Sequence, residues 1–350
     1  MVDDNIERDF LNLVDLCPFL SADRARYNDE AVYAILKKYP AVACLRHSFR
    51  CGVKNIHPLP IVVALGGSLN VVQLMVDACP EALNERLHKA TRRTLLHYII
   101  SEGVDIEIIK YLTAKCCPTL ITATDSFGGT PLHLAASYPS STTSVLRHIL
   151  HLYPKGAHVL DNRSQTALHR ACKSRAELSK IHALIEANPR ALFWKDYSKT
   201  TPLGWAERMD HSLSDVCPET VELMSMMEEL LRIGSSEDGT TNEHYARDDT
   251  GSGDVSDDNT DNNEQKQRAL DILSRFCTMP RKWNEGIRIS FACNCNLISL
   301  IDMQLELYPT LLSLLGKRNE MDNYCGIGTN FRLESVYAIL LRQPGLFVHD

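Results

Sequence analysis

Three times along this chain a Thr-x-Leu-His phrase sets a threonine three residues ahead of a histidine: Thr94 and His97, Thr130 and His133, Thr166 and His169. A hydroxyl beside an imidazole is the raw material of a nucleophile and its base. Three histidines in one register are equally the raw material of a metal ladder. Further along, Cys277, Cys293, Cys295 and Cys325 offer four thiols. Each chemistry makes a demand on geometry. A catalytic threonine needs a free hydroxyl and a third group to orient the histidine, and no such group stands out. Histidines on successive packed elements about 10 Å apart cannot share one zinc ion at about 2 Å. Cys293 and Cys295 are separated by one residue, where zinc pairs keep about two to four, and no matching second pair follows. No phosphate-cradling Gly-rich loop ending in Lys-Ser/Thr, no Gly-x-Ser-x-Gly elbow and no His-Glu-x-x-His helix occurs. The sequence therefore predicts no catalytic residues, no bound metal and no cofactor.

The elements that carry these residues repeat. "TPLHLAA" at Thr130 is echoed by "TLLHYII" at Thr94, "TALHRAC" at Thr166 and "TPLGWAE" at Thr201, and weakly by "HPLPIVV" at His57. The steps are 37, 36, 36 and 35 residues. Asp125, Asp161 and Asp196 each precede a threonine by five residues. A second phrase keeps the same beat: "CPEAL" at Pro80, "CPTLI" at Pro118, "YPKGA" at Pro154 and "NPRAL" at Pro189. The threonine is suited to an N-cap, and proline after it sits where its missing N–H is harmless. A second helix follows, with Val145, Ile149 and Leu152 at helical spacing before Pro154 ends it. The turn-rich link onward reads as a hairpin finger.

These residues resemble the ankyrin repeat, whose signature is Thr-Pro-Leu-His-x-Ala on a period of about 33. The departures are a longer period and Pro-x-Ala-Leu after the second helix. The resemblance implies an all-α dominated fold: an ankyrin-type α-solenoid of stacked helix pairs with short β-hairpin fingers. It covers residues 86–210 well and 55–85 less closely. In this reading Thr94, His97, Asp125, Thr130, His133, Asp161, Thr166, His169, Asp196 and Thr201 are structural, each imidazole tying a helix start to the adjoining hairpin.

Residues 1–54 read as an N-terminal helical cap or degenerate repeat, and 55–233 as the repeat array. Residues 234–266 read as a disordered acidic insert, being nearly free of aliphatic side chains. Residues 267–350 read as degenerate helical repeats and a C-terminal cap, with Pro309 and Pro344 again 35 apart. Residues 235–268 hold ten acidic and three basic side chains, which accounts for the whole formal net charge of −7. The remainder is formally neutral, so no basic field favours nucleic acid. Apolar runs fall short of the ~20 residues that span a bilayer, so no membrane insertion is expected. The acidic start lacks a secretory profile, and twelve cysteines point to a reducing compartment. The expected location is the cytoplasm, with the nucleus also open.

The resemblance implies protein partners, gripped by the hairpin tips and the ends of the first helices. Arg93, Phe127, Tyr138, Arg163, Lys173 and Tyr197 occupy such positions. So do Gly129, Gln165 and Thr200 at the tips and Glu102 at a helix end. Exposed aromatic residues are frequent interface anchors. The function expected is a non-enzymatic protein-interaction scaffold. Two alternatives are a thiolate metal or redox site in the C-terminal region, and an acidic insert that folds back on the basic first finger of Arg86, Lys89, Arg92 and Arg93.

Overall fold

The computed structural model describes residues 3–87, 90–116, 118–210 and 218–233, with short helical pieces between 264 and 290. The acidic insert up to residue 263, Cys277, Cys293, Cys295, Cys325, and the segments around Pro309 and Pro344 lie outside the described residues. The chain divides into two compact units, Met1–Leu184 with Trp194–Ser214, and Ile185–Phe193 with Asp215–Asp350.

In the first unit, short helices α4 (Leu59–Leu65), α6 (Leu95–Glu102), α8 (Pro131–Ser137), α10 (Ala167–Lys173) and α12 (Pro202–Asp210) form one row, each packed on the next. A second row holds α1 (Asp4–Val14), α3 (Asp29–Lys38), α5 (Leu69–Ala78), α7 (Ile106–Lys115) and α9 (Thr143–Leu152). Between α1 and α3 lies α2 (Ser21–Arg26), and α11 (Leu178–Ala187) follows α10 in the chain. Small residues set the spacing of the first row: Ala135, Ala136 and Ala171 have no exposed surface. Only methyl groups fit where one helix is clamped between two others.

The second-row helices start on side-chain caps. Ser68 Oγ and Thr142 Oγ1 accept from Val71 N and Val145 N, each at 3.4 Å, and Asp105 Oδ1 accepts from Glu107 N at 2.7 Å. In α9, Val145, Leu146, Ile149 and Leu150 are at most 2% exposed. Each such side chain stabilises by roughly 1.5–3 kcal/mol, against about 1 kcal/mol for a cap. Packing therefore holds the helix and the cap sets where it begins. Tyr39, Cys79 and Tyr153 end α3, α5 and α9 with φ of −133°, −141° and −143°, outside the helical region that a following proline disfavours. The next residues wind into a 3₁₀ turn, at Pro40–Cys44, Pro80–Asn84 and Pro154–His158. That turn buries Val42 and Ala43, Ala82 and Leu83, or Gly156 and Ala157, which is the structural content of the proline phrase.

The β-hairpin fingers expected from the sequence are not formed. Among the described residues there is no strand ladder, only isolated antiparallel bridges at His47–Ile56 and Arg86–Thr94. Each of these three fingers is a turn closed by two backbone bonds: Asp125 N to Gly129 O at 2.9 Å with Gly128 N to Asp125 O at 3.1 Å, Asp161 N to Gln165 O at 2.9 Å with Ser164 N to Asp161 O at 2.9 Å, and Asp196 N to Thr200 O at 3.0 Å with Lys199 N to Asp196 O at 2.8 Å. Neighbouring fingers are then linked sideways: Ser126 N to Thr91 O at 2.8 Å, Asn162 N to Phe127 O at 2.9 Å, Tyr197 N to Arg163 O at 3.1 Å. The tip groups that each turn leaves unpaired are thus used between fingers.

In the second unit, α13 (Pro218–Arg232) packs on the turn Pro189–Phe193, with the Arg232 guanidinium 5.4 Å from the Phe193 ring centre.

The tip requires left-handed backbone at one register position: Arg92, Gly128, Ser164 and Lys199 have φ of 52°, 74°, 57° and 56°. A Cβ at Gly128 would lie 2.4 Å from Asn162 Oδ1 and 2.7 Å from Asn162 N. Gly128→Ala is expected to lose about 1–3 kcal/mol of unfolding free energy. Ser164→Gly, at the same register, is expected to gain about 0.5–1 kcal/mol. Urea midpoints of the two variants check both signs.

Candidate functional site

The Thr-x-x-His phrase places the histidine at the third helical position, where a capping box usually carries Glu or Gln. In α6, α8 and α10 the threonine and histidine form such a box. Nδ1 of His97, His133 and His169 lies 2.8, 2.9 and 2.9 Å from the hydroxyl of Thr94, Thr130 and Thr166. It also accepts from the threonine N–H at 3.4, 3.2 and 3.2 Å. The far ring nitrogen leaves the repeat: Nε2 of His97, His133 and His169 meets the carbonyl oxygens of Gly129, Gln165 and Trp194 at 3.0, 3.1 and 3.0 Å. A carbonyl oxygen only accepts, so Nε2 carries the proton and Nδ1 presents its lone pair. Both nitrogens and the hydroxyl are consumed, and all three rings have no exposed surface. Neither a nucleophile nor a metal ligand is left over in this set.

Burial holds these imidazoles neutral. It is the main reason that His97 and His133 are pushed down to about 4, and that His169 is lowered as well. Asp161 and Asp196 shift down despite burial, which works against their charge, because hydrogen bonds outweigh it. Asp161 Oδ1 takes the N–H of Arg163 at 2.7 Å and of Gln165 at 2.9 Å. Its Oδ2 takes Arg170 Nε at 2.8 Å and Nη2 at 2.7 Å. Asp196 Oδ1 takes Ser198 N and Thr200 N, and Oδ2 takes Gln165 Nε2 and Trp205 Nε1, both at 2.8 Å. Thr201, where Gly204 replaces the histidine, caps α12 by accepting from Gly204 N at 3.2 Å.

The surface residues singled out from the sequence are partly gathered. Arg93, Phe127, Arg163 and Lys173 line one cleft of about 350 Å³. Phe127 is 54% exposed and Tyr197 69%. Tyr138 is not in the lining but contacts it through Arg93, whose Nη2 donates to its hydroxyl at 3.3 Å, with the guanidinium 5.9 Å from the ring centre. Lys173 Nζ lies 4.5 Å from the Trp205 ring centre. Tyr197 stands outside the cleft, joined to Arg163 only through the backbone. Gly129, Gln165 and Thr200 are buried rather than displayed, because the residue before each capping threonine turns inward to meet the histidines and aspartates. Glu102 is covered too, paired with Arg24 of α2 at 2.9 Å. Sequence reasoning missed that Arg170 and the buried Asp125 also belong to the cleft lining.

One cluster of metal-ligating types lies elsewhere among the described residues. Cys44, Cys79 and Glu81 bring their ligand atoms within 4.8 Å of one another. Cys44 Sγ donates to Ala78 O at 3.3 Å, and burial pushes the Cys79 thiol up to about 12. Three donors, one a firmly protonated thiol, fall short of a closed tetrahedral zinc site.

Stacked helix pairs, joined by turns that bond to their neighbours at one register, define a helical repeat protein. Residues 60–150 match the family model for ankyrin repeats, in three copies, and this match supports an ankyrin-repeat protein. Ankyrin repeats are generally protein–protein interaction modules and typically non-enzymatic. No curated protein matches the chain. Among the described residues no helix is long and apolar enough to cross a membrane.

Acid should act through the buried histidines. Unfolded, each titrates near 6.5; folded, His97 and His133 titrate near 4. Between those values the unfolded chain binds more protons, so stability is complete above pH 6.5 and falls as pH drops towards 4. The expected loss is on the order of a few kcal/mol for each histidine. His148, His158 and His169 are lowered by burial and act in the same sense. His133→Leu should lower stability at neutral pH by about 1–3 kcal/mol, since Gln165 O loses its donor, and should flatten the acid slope. Urea unfolding at pH 7.5 and pH 4.5 measures both effects.

Proposed function

We infer that the protein is a non-enzymatic interaction scaffold of the cytoplasm or nucleus, and that it grips protein partners with its finger tips and the ends of its first helices. The observation that carries this reading is the company kept in one place. An exposed Phe127, Arg163 and Lys173, which have no acidic partner among the described residues, and Arg93 converge on a single cleft, with Tyr197 exposed one finger further on. Aromatic and arginine side chains supply most of the binding energy in protein interfaces. Buried capping residues hold these side chains on rigid elements, which lowers the entropy lost on binding. The imidazoles that resemble catalytic groups are spent on the fold, so the same geometry supports binding over catalysis.

The test is affinity capture from a lysate with wild-type protein beside Phe127→Ala/Tyr197→Ala. Both rings are exposed, so the double variant should keep its unfolding free energy within about 1 kcal/mol of wild type. Partners present with wild type and absent with the variant place the working surface on this face. Retention of every partner by a folded variant removes the face from the function.

A further inference from the structure

The three finger aspartates form a series in which one member is incomplete. Each uses Oδ1 to close its own turn; Asp125 Oδ1 takes Phe127 N at 2.9 Å and Gly129 N at 2.8 Å. For Oδ2 the series diverges. Asp161 meets Arg170, and Asp196 meets Trp205; both donors lie nine residues after the aspartate. The counterpart after Asp125 is Leu134, which has nothing to donate. Asp196 is also met by Gln165, the residue before the capping threonine of the preceding repeat. The counterpart for Asp125 is Arg93, but its guanidinium is turned to Tyr138. Asp125 is 6% exposed, and among the described residues its Oδ2 has no hydrogen-bond partner. The buried Nε of Arg93 has none either. Both residues line the same cleft.

An unmet buried carboxylate oxygen and an unmet guanidinium N–H each cost about 1–3 kcal/mol or more in the free protein. Together they ask for a ligand that brings one donor and one acceptor. An extended peptide backbone does so with its N–H and C=O. The other lining groups define the side chains. Arg163 and Lys173 have no acidic partner among the described residues, and Arg170 is the one cation of the lining already neutralised, by Asp161. Phe127 offers a half-exposed ring on the same lining. The cleft volume of about 350 Å³ is at the small end of ligand pockets, the size for a short segment. A nucleic-acid phosphate would supply only acceptors and would face the Asp125 carboxylate, whereas a peptide N–H satisfies it.

We propose that this cleft is the subsite for an extended acidic peptide of a partner protein. Its backbone N–H bonds Asp125 Oδ2 and its carbonyl bonds Arg93 Nε. An Asp or Glu side chain lies between Arg163 and Lys173, and an adjacent apolar side chain lies on Phe127. This rests on the interaction-scaffold reading and names the chemistry of the partner.

The experiment selects a random peptide library, displayed on phage, on the full-length protein. Enriched sequences are then measured by fluorescence anisotropy as end-blocked, labelled peptides. Enriched peptides are expected to share an Asp or Glu beside an apolar residue. Exchanging that acid for its amide, or using Arg163→Ala/Lys173→Ala, should weaken binding about ten-fold or more. Asp125→Asn keeps the turn-closing oxygen but presents N–H groups where a peptide N–H must donate. It should weaken binding while leaving the thermal midpoint unchanged or raised, which a merely structural Asp125 would not do. Peptides without an acid, or peptides that bind Arg163→Ala/Lys173→Ala as tightly as wild type, overturn the proposal. If those peptides still lose affinity for Phe127→Ala/Tyr197→Ala, the interaction face stands and only its acidic preference falls. No enrichment at all overturns the proposal, and the affinity capture above then decides the scaffold reading separately. Binding that strengthens about ten-fold when residues 235–266 are deleted assigns the cleft to the chain's own acidic segment and overturns a partner in trans.

Discussion

An imidazole can serve two masters here only while it is uncharged. Nδ1 must keep its lone pair to accept at the start of its own helix, and Nε2–H must point at the carbonyl of the following finger. A glutamate in the same capping position would complete the box but has no second, oppositely polarised atom to send onward. Histidine turns a local helix start into a bond between repeats. That is how a one-dimensional stack acquires coupling between nearest neighbours, the quantity that decides whether repeats melt together or singly. The low proton affinity of His97 and His133 follows from the same burial that makes the bond effective.

The first repeat reaches the same end by other means. Pro60 stands where the histidine should be. There the helix entry at His57 is held by Glu85, whose Oε2 takes the His57 N–H at 2.8 Å and lies 2.9 Å from Nδ1. Glu85 belongs to the segment leading to the next finger, so the tie still runs from one helix start to the following repeat. What the stack conserves physically is the tie, not the residue that makes it. At α12 the histidine is replaced by Gly204, and the cap there is local.

Much of this architecture was legible in the chain because it is written one residue at a time. Thr130 at a cap, Pro131 behind it, Pro154 at a helix end and the period of the phrase are single-residue signals with local causes. The hairpin fingers were misjudged for a related reason. The turn residues around Gly128 are correct for a reversal, but a hairpin also needs paired arms, and pairing is a property of two segments. The backbone bonding of each finger stops at the turn itself, and Ser126, Asn162 and Tyr197 give their N–H groups to the neighbouring finger. The site was legible to the same depth. Phe127 and Tyr197 were read as surface aromatics from register alone, and they are exposed. The inward turn of Gln165, the capture of Glu102 by Arg24 and the diversion of Arg93 to Tyr138 each involve two or three distant residues. Aligning the repeats on the aspartate would have exposed one of them, since Leu134 stands against Arg170 and Trp205.

That alignment also gives a physical reason for placing the proposed binding cleft at the second finger. In a repeat stack every finger aspartate is offered the same surroundings, and the fold is most stable when each finds a donor. Asp161 and Asp196 have found theirs, and their depressed proton affinity records it. At Asp125 the donor position is aliphatic, and the alternative donor is drawn aside by an aromatic ring. Two unmet polar atoms in one cleft lower the stability of the free chain by an amount that a ligand with matching groups recovers on binding. Polar groups that complete the fold in the third and fourth fingers are thereby left to recognise something else in the second.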